Sequence, residues 1–362
     1  MSRVVHITGA RPNFPKAAPV IRALQSYIVE QTLVHTGQHY DRQLSQVFFD
    51  ELGLPLPDLN LGVGSGSHAE QTGAIMVGLE RLFVELRPDL VVVYGDVNST
   101  LAAAIVASKL GIRLCHVEAG LRSFDRSMPE EINRIVTDRL CDLLLVTSAD
   151  AIAHLASEGA GVDSIHLVGN PMIDTLVANR EAFDAIRART RHGLGETYAV
   201  ATLHRPGNVD DPTTVADLVE VLHAVADQAP VVLPLHPRGR ERLFAAGLRP
   251  GGSLVITEPL GYIEFLSLVS GAAAVLTDSG GVQEETTFLG VPCLTLRPNT
   301  ERPVTITDGT NRLVTLADVE DQLAQVLAAG RPESWPVPPL WDGRAGERIA
   351  RVLSRELGWA HA

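Results

Sequence analysis

Short apolar runs recur along this chain, separated by longer stretches in which apolar residues return every three to four positions. VVHIT (4–8), TLVHT (32–36), LVVVYG (90–95), RLCHV (113–117), LLLVT (143–147) and IHLVG (165–169) form one series. YAVATL (198–203), VVLPL (231–235), LVIT (254–257), AVLT (274–277) and CLTL (293–296) form a second. Runs this short and this rich in Val and Leu read as strands buried on both faces, and the helical period between them reads as crossover helices. The alternation predicts a parallel sheet covered by helices on both sides, built twice over. The fold class is therefore α/β, with two Rossmann-like doubly wound domains. The predicted domains are 1–170 and 171–344, with the crossing point inside Met172–Thr197. A last amphipathic stretch, GERIARVLSREL, follows the Pro-rich loop PESWPVPPLWDG (332–343).

Composition narrows the possible partners. A net charge of −13 over 362 residues argues against nucleic acid or an anionic membrane. No apolar run approaches the length of about 18 residues that a membrane helix needs. The N-terminus, MSRVVHITGARPN, breaks too early for a signal peptide's apolar core. Three cysteines in apolar stretches, with no CxxC pair, make a poor disulfide framework. The expectation is a cytoplasmic protein. Lys16 and Lys109 are the only lysines among 30 basic residues, so Lys16 near a strand end stands out.

The chemistry sits where strands end. Gly9-Ala-Arg-Pro, Gln38-His39, Asp96, Glu118, Asn170, His204-Arg205, His236, Glu258 and Asp278-Ser-Gly-Gly each follow an apolar run. In open α/β sheets ligands bind at the carboxyl ends of the strands. Polar groups there in both halves predict a cleft shared by two facing domains.

Several of these strand ends have a specific reading. DSGGVQEETTFLG (278–290) is a strand-to-helix turn whose two glycines let backbone N–H groups approach an anion, although a plain Asp/Ser cap would look the same. Glu285 is a candidate for accepting ribose hydroxyls. Arg11 and Lys16 could meet a phosphate or be ordinary helix-start cations. Asp96 and Glu118, at neighbouring strand ends, would repel each other and raise one pKa, as a proton-transfer pair needs. His204 faces them from the other half. Other signals fail. GVGSGS (62–67) lacks dinucleotide-binding spacing, and HTGQH (35–39) spans a turn, not one helical face. No cofactor and no metal are expected.

Taken in order, VHTGQHYD, GDVNSTLAA, HVEAGLRS with MPEEINR, GNPMIDTL, TLHR, DSGGVQEE and NTERP resemble the non-hydrolysing UDP-N-acetylglucosamine 2-epimerases. The likeness runs from Gly9 to about Val314. It implies a GT-B-like fold, with the C-terminal helix (about 345–362) packing back on the first domain. It also implies elimination of UDP to 2-acetamidoglucal and re-addition with C2 inverted. By position it implies Asp96, Glu118, Glu130 and His204 as catalytic. Arg11, Lys16, Leu260, Phe265, Ser279, Gly280, Gly281, Glu285 and Arg302 would bind substrate. Glu131 and Arg134 are assigned to loop structure. The implied partners are a UDP-sugar and a second copy of the chain. Epimerisation of a related UDP-2-acetamido sugar, a hydrolysing 2-epimerase and a GT-B glycosyltransferase remain the alternatives. Asp41, His68 and Pro206 depart from the family pattern, which implies a weakened second, regulatory UDP-sugar site.

Overall fold

The computed structural model describes residues 1–38, 49, 51–209, 211–235 and 237–361. The chain forms two compact units, Met1–Ala178 with Pro339–Ala362, and Asn179–Pro338. The sequence reading drew its lines at 170 and 344.

In the first unit, seven parallel strands run β1 (Ser2–Thr8), β2 (Val29–His35), β3 (Leu59–Asn60), β4 (Leu90–Tyr94), β5 (Arg113–Ala119), β6 (Leu143–Val146) and β7 (Ile165–Leu167). Their spatial order is β3-β2-β1-β4-β5-β6-β7. In the second, β8 (Ala199–Thr202), β9 (Val231–Pro234), β10 (Leu254–Thr257), β11 (Ala274–Thr277), β12 (Cys293–Leu296) and β13 (Asn311–Val314) lie in the order β10-β9-β8-β11-β12-β13. Each unit is thus a doubly wound Rossmann-like sheet, as expected. β3 and β13 were not foreseen. β3 is two exposed residues and β13 is an edge strand carrying Asn311 and Arg312, so neither shows as an apolar run.

In both units the strand order reverses once, between β1 and β4 and between β8 and β11. Adjacent strands there send their helices to opposite faces, which opens a crevice beyond their carboxyl ends. Apolar side chains of β1, β4 and the helices His68–Leu86 and Asn98–Lys109 fill the core under the first crevice. Those of β8, β9, β11, β12 and the helix Pro212–Gln228 fill the second.

The helix Ala345–Leu357 returns to the first unit and packs on Phe14–Leu24. Gly346 allows the approach, because a Cβ there would lie 2.6 Å from the Pro19 carbonyl oxygen. The Asp174 carboxylate caps this helix, accepting the N–H groups of Ala345 at 2.9 Å and Gly346 at 2.6 Å. Burial pushes the Asp174 carboxyl up to about 6 despite those two donors.

Candidate active site

The first crevice is lined by the ends of β1, β4 and β5. β1 leads through the turn Arg11–Asn13 into the helix Phe14–Leu24. Asn13 ties that turn to the sheet, accepting from the N–H groups of Gly9 and Ala10 and donating to the Tyr94 carbonyl at 2.8 Å. Arg11 is half-buried at its mouth. Lys16, one turn further on, is buried and forms an ion pair with Glu118.

Glu118 itself is strained. Its φ is +77°, and the pairing of β5 with β6 slips between Val117 and Ala119. A non-glycine residue in the left-handed region at a bulge is held there by its surroundings, and such strain clusters at functional sites. Gly95 (φ +63°) makes the room: a Cβ on it would sit 3.0 Å from the Lys16 ammonium and 3.2 Å from the Glu118 carboxylate.

Asp96 follows Gly95 and is paired with Arg134 at 2.5 Å. Asn133 supports the same loop from the helix Pro129–Leu140 by donating to the Asp96 carbonyl at 2.8 Å. Asp96 and Glu118 therefore do not confront each other as bare carboxylates, contrary to the expected like-charge pair. Each meets a basic side chain, Lys16 for Glu118 and Arg134 for Asp96.

The two glutamates that open the helix Pro129–Leu140 differ in fate. Glu131 is buried, accepting from the N–H of Ser123 (3.0 Å), the hydroxyl of Ser123 (2.9 Å) and the N–H of Phe124 (2.9 Å), and pairing with Arg134. It folds the loop. Glu130 is only half-buried in the same first turn, where the helix dipole favours its charge. Arg134 was read as loop structure alone, yet it bridges Glu131 to Asp96. Only the three-residue spacing of Glu131 and Arg134 was visible in sequence. The contact with Asp96 spans 38 residues and leaves no local signal.

In the second unit, β8 ends at His204 and β11 at Asp278. Asp278 is fully buried and lies 3.0 Å from His204 Nδ1. It also accepts the backbone N–H groups of His204 and Arg205 and the Asn208 amide. Burial alone would raise this carboxyl, but His204, Asn208 and the Arg205 N–H hold it below the usual carboxylate range. A carboxylate fixed in this way orients the imidazole and leaves Nε2 for chemistry. In sequence Asp278 looked like a helix cap. Its role as the histidine's partner was missed.

Ser279, Gly280 and Gly281 open the helix Gly280–Leu289 with no side-chain cap on its N-terminus. Arg302 packs under this turn, 2.5 Å from Glu301 and 2.9 Å from Glu284. A side chain at Gly280 would displace the Arg302 guanidinium, since its Cβ would fall 2.4 Å from it. Glu285 is buried beside Glu284; burial first, then that neighbouring charge, pushes its carboxyl up to about 8. Glu285 is thus mostly protonated at neutral pH and able to donate, where the sequence suggested an acceptor. Tyr262 lies close to it, in the segment that also carries Leu260 and Phe265, both partly exposed.

His39, Asp41 and His236 lie outside the described residues. His68 is exposed at the start of its helix, its Nδ1 3.1 Å from the Asn98 amide nitrogen. Among the described residues no cluster of His, Cys, Asp or Glu is arranged to hold a metal ion, and no helix is long and apolar enough to cross a membrane.

Comparison with known proteins bears on this arrangement. The family model for UDP-N-acetylglucosamine 2-epimerase matches residues 22–354. The UDP-N-acetylglucosamine 2-epimerase of Methanocaldococcus jannaschii is 41% identical over 360 residues, covering 96% of this chain and 98% of that protein. The UDP-2,3-diacetamido-2,3-dideoxy-D-glucuronate 2-epimerase of Pseudomonas aeruginosa is 42% identical over 358 residues, covering 98% and 99%. The crystal structure of the M. jannaschii UDP-GlcNAc 2-epimerase with UDP-GlcNAc and UDP superposes with a TM-score of 0.91 at 40% identity, over 98% of this chain and 99% of that one.

Proposed function

Because the chain belongs to the UDP-N-acetylglucosamine 2-epimerase family, we propose that it interconverts UDP-N-acetylglucosamine and UDP-N-acetylmannosamine by elimination and re-addition of UDP. A carboxylate takes the C2 proton as the C1–O bond breaks, UDP leaves with the bonding pair, and 2-acetamidoglucal forms. Protonation at C2 from the other face and return of UDP to C1 give the epimer. The observation that carries this reading is the strained Glu118, paired with buried Lys16 next to the Asp96–Arg134 pair. It supplies carboxylates positioned for proton transfer at the end of a switch-point strand.

Asp96, Glu118 and Glu130 form the acid–base set, with His204 on Asp278 serving the departing phosphate or a proton. The Ser279-Gly280-Gly281 turn receives the diphosphate on unpaired helix N–H groups. Arg11 and Lys16 add positive charge, and Arg302 braces the turn. Glu285 meets the ribose, and Leu260 and Phe265 flank the uracil. The chain works as a homodimer in the cytoplasm. Exposed Val77 and Val84, on one face of the helix His68–Leu86, are consistent with a contact between copies.

A second reading differs only in the sugar. The Pseudomonas relative is named for a diacetamido glucuronate, so another UDP-2-acetamido sugar is the competing substrate. NMR of the products from each UDP-sugar without added NAD decides. UDP-N-acetylmannosamine in equilibrium with its epimer supports the main reading. Free sugar and UDP, or turnover only with an acceptor, refutes it.

A further inference from the structure

The strain at Glu118 needs a restraint, and the structure holds one that the proposed chemistry does not use. His116 and Gly120 lie two residues to either side of Glu118, and the carboxylate of Asp138 grips both. Its Oδ1 is 2.6 Å from His116 Nδ1, and its Oδ2 accepts the Gly120 N–H at 3.0 Å. His116 Nε2 lies 2.8 Å from the carbonyl oxygen of Gly95, the residue that makes room for Lys16 and Glu118 and precedes Asp96. One pair of side chains thus touches both flanks of the Glu118 bulge and the loop of Asp96.

The protonation of His116 follows from its partners. A carbonyl oxygen can only accept, so Nε2 carries a proton. Nδ1 faces a carboxylate whose second oxygen already meets Arg122 at 2.7 Å. Burial alone would raise the Asp138 carboxyl, but His116 and Arg122 outweigh it and hold it below the usual range. Asp138 is therefore ionised and able to grip His116, Gly120 and Arg122 together. Beyond Arg122, Glu158 takes its guanidinium at 2.6 Å and opens to a surface cavity of about 200 Å³ lined with Arg139 and Ser164. Asp138, Arg122 and Glu158 alternate in sign toward the surface, which is what makes burying Asp138 tolerable. Of the other titratable groups nearby, the Cys141 thiol at the end of the helix Pro129–Leu140 is held neutral by burial, as is Cys115 on the same strand.

We propose that the His116–Asp138 pair is a positioning clamp for Glu118 and Asp96. Neither residue touches substrate. They fix the backbone on which the proton-transfer groups stand. The inference rests on the epimerase reading, and the test separates the two. Wild-type enzyme that fails to exchange the C2 hydrogen of UDP-N-acetylglucosamine in D2O would sink the reading, whatever His116 does.

With exchange established, His116→Gln and Asp138→Asn are compared with wild type for kcat, KM and UDP affinity. The clamp predicts a fall in kcat of about 10²-fold, the scale of a misplaced catalytic group, with KM and UDP affinity nearly unchanged. An unchanged kcat, or a loss that tracks lost UDP binding, overturns it. Nitrogen-15 NMR of the histidine rings in the unaltered enzyme gives an answer even if the variants do not fold. His116 Nε2 should bear a proton shared with the Gly95 carbonyl. A bare Nε2 overturns the proposal.

Discussion

The two switch-point crevices use charge in opposite ways. In the first unit basic side chains meet two of the candidate carboxylates: Lys16 meets Glu118, and Arg134, shared with Glu131, meets Asp96. In the second, Glu284, Glu285 and Glu301 crowd together. Arg302 reaches Glu284 and Glu301, while Glu285 is neutralised by keeping its proton. The first arrangement holds carboxylates at a fixed place, Glu118 under strain, which suits proton transfer. The second gathers Arg205, Arg297 and Arg302 around Glu301 beside a helix N-terminus, which suits an incoming diphosphate. Division of labour between reaction and nucleotide binding is the lesson, and it can be broken experimentally.

The largest effects should separate the units by which kinetic constant they move. Glu118→Gln and Asp96→Asn are expected to lower kcat by about 10²-fold or more, the scale of a lost acid–base group, with UDP affinity little altered. Gly280→Ala, whose methyl group would collide with the Arg302 guanidinium, should instead weaken UDP binding. Calorimetric titration with UDP beside steady-state kinetics checks both. If Glu118→Gln lost UDP affinity as severely as turnover, the division would fail.

A sharper contrast lies within one helical turn. Glu130→Gln should reduce turnover and leave the melting temperature nearly unchanged. Glu131→Gln replaces one of the two oxygens that serve Ser123 and Phe124 with an NH2 group, so it should cost about 1–3 kcal/mol of stability through a donor left unsatisfied. Thermal unfolding and kinetics on both variants decide. Equal activity losses with equal stability would show that the pair had been assigned the wrong way round.

The smallest effect is a pH dependence confined to the second unit. Glu285 has a folded pKa of about 8, above its ordinary 4.5, so its contribution to stability is complete below 4.5 and is lost as pH rises through 8. Ionisation there adds a charge beside Glu284, so UDP affinity should fall as pH rises through about 8. Glu285→Gln should flatten that profile. A profile that the substitution leaves unchanged would assign the titration elsewhere.

Much of this was legible in the chain before any coordinates. The apolar runs placed eleven of the strands, because most are buried and so read as unbroken Val/Leu segments. β3 and β13 stayed hidden because β3 is two exposed residues and β13 opens on Asn311 and Arg312. The candidate site residues could be singled out as a set, since loops at strand ends concentrate function. Their pairing was not. Lys16 and Glu118 are 102 positions apart, and His204 and Asp278 meet only because β8 and β11 are neighbours in the sheet. The strain at Glu118 had no sequence signal either. Glutamate in the left-handed region looks like any other glutamate, and only the glycines at 95 and 120 hinted at unusual backbone there.

The most direct test of the division of labour is proton exchange at C2. UDP-N-acetylglucosamine incubated in D2O with the wild-type enzyme, Glu118→Gln and Gly280→Ala is followed by proton NMR at saturating substrate. Wild-type enzyme should place deuterium at C2 of both epimers. Gly280→Ala should do so at a rate closer to wild type once saturated, and Glu118→Gln should show almost none. Epimerisation that keeps the original C2 hydrogen, or exchange that survives the loss of Glu118, would contradict the account.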